Sequence, residues 1–145
     1  MNTTPLAALA LVTVLASTPL RQEPETPSES PVLEAMEGMK THLKGTAMAL
    51  QDPAKGAEAL EHIAELQRLV LLAKLGSPAN LDELPADERD AHRTAFRRDL
   101  TLVLEQLVHM ELSVLDGKPD EAFARIVKPL YPMREAAHEK YQSKR

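Results

Sequence analysis

From residue 31 onward, apolar residues return every three or four positions through four successive stretches. That spacing gathers them on one face of a helix but scatters them over both faces of a strand, so it predicts helices. The first stretch, 31–51, carries Leu33, Met36, Met39, Leu43, Ala47 and Leu50, with Gly38 and Gly45 making it dependent on packing. The second opens at Asp52-Pro53, an N-cap followed by proline at the first helical position, and closes at Gly76. Its apolar face includes Leu60, Ile63, Leu66, Val70 and Ala73. The third, 86–115, repeats Phe96, Leu100, Val103, Leu107, Met110 and Val114 in near-heptad fashion. Asp116-Gly117 ends it, because glycine tolerates the left-handed cap. The fourth starts at Pro119 and carries Phe123, Ile126, Val127, Leu130, Met133, Ala137 and Tyr141. Pro129 and Pro132 lie inside it and should kink it.

Composition points the same way. Aromatics are only 3% of the chain while Leu, Ala and Glu dominate, and these residues lose little on entering a helix. The short links between consecutive stretches make antiparallel neighbours. The expected fold class is all-α, an antiparallel up-down-up-down four-helix bundle over 32–145. About 115 residues suit one such domain, which buries roughly two-thirds of its unfolded surface.

The N-terminus reads as a targeting signal. Pro5 to Ala16, PLAALALVTVLA, is an apolar run too short to span a bilayer comfortably, ending in the small residues Val14 and Ala16. A signal peptide over 1–16, cleaved before Ser17, would send the chain to the periplasm and leave no stable membrane insertion. Residues 17–31 are rich in Pro, Ser, Thr and Glu and read as a disordered leader.

Several chemistries are excluded. The net charge of −5, with no basic stripe, argues against nucleic acid as a partner. Without a cysteine there is no disulfide, thiolate metal site, cysteine nucleophile or covalent haem attachment. No Ser/His/Asp set, glycine-rich phosphate loop or paired catalytic carboxylates stand out, so the chain does not read as an enzyme. The run Asp87-Glu88-Arg89-Asp90 reads as a solvated helix start, and His42, His62, His92 and His109 as residues of solvated faces. Glu135 and His138 match the ExxH of di-iron bundles, but that site needs a second ExxH on another helix.

The expected topology places the start of helix 1 beside the end of helix 4. Met36 and His138 then reach about the same height, a thioether and an imidazole, the pair that ligates haem iron in electron-transfer cytochromes. Met39 and Met133 are rival thioethers.

The run Arg134-Glu-Ala-Ala-His138-Glu-Lys140-Tyr141 resembles the helix-4 ending of the cytochrome b562 family, where R-x-A-x-H-x-K-Y surrounds the axial histidine. Leu33-Glu34-Ala-Met36-Glu37, followed by Leu43-Lys44, looks like that family's helix-1 segment with the axial methionine. Phe96-Arg97, Asp116-Gly117-Lys118 and Glu121-Ala122 match its third helix and turn. The resemblance covers about residues 32–142 and is most specific at the C-terminal run. It implies iron ligation by Met36 and His138, a pocket walled by Phe96 and Leu100, and Arg134 near the porphyrin edge. Leu100 stands where the family has a second aromatic, and Gln142 where it has a closing arginine. Helix 4 is also about one residue longer between Gly117 and His138, and one inserted residue turns a helical side chain by about 100°. The turn, or a bulge at the prolines, must absorb that.

The resemblance thus implies a monomeric, exported electron-transfer protein holding one non-covalent haem b and exchanging electrons with redox proteins yet to be identified. Two alternatives are a haem-free periplasmic binding or scaffold module and a metal-binding bundle.

Overall fold

The computed structural model describes residues 31–143, and these are helical without a strand among them. The signal-peptide reading of 1–16 lies outside the described residues, as does the leader reading of 17–31 except at Pro31, which begins the first helix. Five α-helices account for the four stretches: α1 (Pro31–Ala49), α2 (Gly56–Ala73), α3 (Arg89–Leu115), α4 (Pro119–Arg125) and α5 (Tyr131–Tyr141). No helix among the described residues is long and apolar enough to cross a membrane.

The expected boundaries hold with local adjustments. Asp52 caps the second stretch, its Oδ1 accepting from the Ala54 amide at 3.0 Å, but the first turn, Pro53–Lys55, is 3₁₀. Arg89 starts α3 three residues later than expected, after a short 3₁₀ turn, Leu81–Glu83. Its guanidinium donates back to the carbonyls of Leu84 and Asp82 and so fixes the entry. Gly117 ends α3 at φ +72°, the left-handed conformation its sequence position demands.

The fourth stretch is interrupted. Ile126–Leu130 forms a π-helical turn, with the Tyr131 amide donating to the Ile126 carbonyl five residues back. Pro129 lies inside that turn and Pro132 just after it, so the regular ladder lacks two amide donors here. A π turn accommodates one extra residue in the helix. Ala122, Ile126 and Leu130 face inward at four-residue spacing. Val127, expected on that face, is instead exposed, because it lies one residue around from Ile126.

Ile63, Val70, Leu107, Met110 and Ile126 anchor a core that runs through all four stretches. α1 packs most closely on α2, and small residues allow this: Ala35, Ala49, Ala59 and Ala73 are buried between or beside them. Gly38 lies against Leu69, and Gly45 against the ring of His62. Leu33, expected in the core, is exposed, because Val32 and Ala35 take the inward positions instead. Further contacts join Gln67 to Glu111, Gln106 to Arg125, and Asp99 to Tyr141. α3 packs on α2, α4 and α5, whereas α1 and α5 hardly approach each other.

Candidate functional site

One end of the molecule carries an apolar cleft. Phe96, Leu100 and Val103 recur at three- and four-residue spacing, so α3 presents them on one face as a wall. Met133, Ala137 and Tyr141 do the same from α5, and Met36 reaches in from the second turn of α1. The cleft has a volume of about 250 Å³. Pockets that enclose small ligands run roughly 300–1,000 Å³, so a larger flat ligand fits only by parting α1 from α5, the two helices that hardly touch.

A polar clamp closes the rim. The Tyr141 hydroxyl donates to Asp99 Oδ2 at 2.5 Å, and Lys140 Nζ donates to the same oxygen at 3.1 Å. The Tyr141 ring meets Phe96 edge-on at 5.0 Å between centroids, and His92 at 5.1 Å. Asn80 ties the loop after α2 to this corner. Its side chain donates to the Lys140 carbonyl at 2.9 Å, and its Oδ1 lies 2.9 Å from His92 Nε2.

The clamp shifts its own titrations. Burial pushes the Asp99 carboxyl up, but hydrogen bonds from Tyr141 and Lys140 outweigh it and hold the group below its ordinary value. Burial and the bond to Asp99 push Tyr141 up, and the bonds to Tyr141 and Asp99 push Lys140 up. A depressed carboxyl stabilises the fold above its unfolded value and loses that contribution as pH falls through the folded one. The raised Tyr141 and Lys140 contribute below their unfolded values and lose it as pH rises. Amide protection at the end of α5 should therefore be highest between about pH 4 and pH 10 and fall outside that window. Asp99→Asn should remove the acid limb. Protection factors that stay level in the wild type from neutrality down through about pH 3 would contradict the clamp.

The expected site residues separate into two groups. Met36, Phe96 and Leu100 line the cleft, together with the rival thioether Met133. His138 and Arg134 do not line it. Arg134 is exposed, and His138 is half-buried on α5, one residue and about 100° around from Ala137. Among the described residues the His138 ring has no hydrogen-bond partner, while its carbonyl accepts from the Gln142 amide. Of what a b-type haem requires, the apolar walls and one thioether fit, and the imidazole is not among the cleft's lining groups.

The clamp was not anticipated from the sequence, which gave no role to Asp99 and placed Lys140 only within the run around His138. The spacing held the signal, since Asp99 falls one turn after Phe96 and Lys140 one turn after Ala136–Ala137. The histidines also need correction. His109 is exposed as expected, but His42, His62 and His92 are half-buried and hydrogen-bonded, because each faces a neighbouring segment. No known protein-family pattern matches the chain, and no curated protein matches it.

Proposed function

We propose that this chain is an exported electron-transfer protein that binds one b-type haem non-covalently at the cleft end of an antiparallel up-down-up-down bundle. The apolar cleft carries the reading, since it has Met36 on one side, Phe96 and Leu100 as walls, and the end of α5 opposite. The order of contacts supports the topology. Gly38 meets Leu69 while Gly45 meets His62, so α1 and α2 run against each other, and Asp99 with Tyr141 and Gln106 with Arg125 give the same sense for α3 and the fourth stretch. The C-terminal run around His138 supports ligation from α5, although the imidazole does not line the cleft as folded.

In this reading Met36 and His138 hold the iron, and Phe96 and Leu100 exclude water from the ring. His138 has to turn into the cleft as α1 and α5 part, and its ring gives up no hydrogen bond in doing so. When bound, the haem would supply reversible one-electron transfer, with Met36 and His138 as the residues that would hold it. Haem titrated into the purified chain should saturate at one equivalent with a low-spin visible spectrum. A spectrum that stays that of free haem through the titration overturns the proposal.

A further inference from the structure

Midway along the α1–α2 face, away from the cleft, two imidazoles meet. His42 Nδ1 and His62 Nδ1 are 3.0 Å apart, with ring centroids at 5.2 Å and planes inclined by 61°. The approach is built into the packing. Gly45 has no side chain, and a Cβ there would collide with His62 Nε2, so glycine lets that ring lie flush on α1. One turn of helix links His42 to the buried Thr46, whose hydroxyl donates to the His42 carbonyl at 2.8 Å. Both residues are half-buried.

We propose that His42 and His62 form a two-imidazole site for a divalent transition-metal ion of the imidazole-preferring kind, with Cu²⁺ the tightest of the series. The spacing fits this chemistry. With metal–nitrogen bonds of about 2.0–2.1 Å, two donors stand about 3.4 Å apart on a tetrahedral ion and about 2.9 Å apart in adjacent corners of a square. The observed 3.0 Å falls between the two and nearer the square arrangement that Cu²⁺ prefers. Both Nδ1 atoms have to present a lone pair to the metal, so the imidazole that donates in the His42–His62 hydrogen bond carries its proton on Nε2 once the ion is bound. Among the described residues no group of three His, Cys, Asp or Glu side chains comes together as a metal site, so water completes the shell and the ion exchanges readily. Glu65, one turn beyond His62 on α2, is paired with Arg68 at 2.8 Å.

The test is a Cu²⁺ titration of the full chain, free of haem, followed by electron paramagnetic resonance. One equivalent should bind with hyperfine coupling to two imidazole nitrogens. His42→Ala and His62→Ala should each abolish that signal, while His109→Ala, at an exposed position on α3, should leave it intact. Failure to bind one equivalent, coupling to fewer than two imidazoles, or retention of the two-nitrogen signal in either His42→Ala or His62→Ala would overturn the site. Because a wild-type chain that lacks two-imidazole coupling already overturns the site, the proposal stays falsifiable even if a variant folds poorly.

Discussion

Ile63→Ala should lower stability by about 2–5 kcal/mol, the range for deleting a buried aliphatic side chain to alanine. Ile63 is fully buried on α2, where it packs into the core shared by all four stretches. Two terms add: the lost transfer of three methylene-sized groups out of water, and the cavity they leave. The cavity should persist, because the surrounding helices are pinned by tight small-residue contacts on the α1 side. Gly38 against Leu69 and Gly45 against His62 leave α1 little room to follow. The melting temperature should fall by about 10 °C or more. Leu33→Ala, at an exposed position on α1, should change stability by no more than about 0.5 kcal/mol. Urea unfolding of both variants checks the contrast, and equal losses would place the core elsewhere.

The second large effect concerns the two unlike ligands. His138→Ala should abolish the low-spin haem spectrum and most of the affinity, because no other imidazole is near the cleft except His92, which is engaged by Asn80. Met36→Ala should leave haem bound through His138, but more weakly and with a lower potential, since the thioether favours the reduced centre. Met133 shares the cleft and separates two ligation schemes. If Met36 is the ligand, Met133→Ala leaves the low-spin spectrum in place. Loss of that spectrum in Met133→Ala with retention in Met36→Ala would reassign the thioether, and a spectrum unchanged in His138→Ala would remove the imidazole from the scheme.

The helices were legible in the sequence because each stretch keeps a three- and four-residue period bounded by Pro, Gly or Asp. Gly117 and Asp52 marked boundaries through backbone chemistry that no packing can override. Side-chain direction was less legible. Leu33 and Val127 look like core residues by hydrophobicity, but neighbours Val32, Ala35 and Ile126 take the inward positions, and only packing between helices decides such a contest. The π turn could be anticipated as a bulge at the prolines, yet the heading of α5 beyond it depends on the clamp. Tyr141 turns toward Asp99 and Phe96, which sets Ala137 inward and His138 a step around the helix. Half of the candidate site was thus readable: Met36, Phe96 and Leu100 follow from periodicity and resemblance, whereas the orientation of His138 follows from neither.

Whether haem is this protein's natural cargo is measured most directly by the visible absorption spectrum of the chain purified from the exported fraction. The expected result is one low-spin haem per chain, removable without breaking a covalent bond, on a polypeptide that begins at Ser17. A colourless protein that also fails to take up added haem would contradict it.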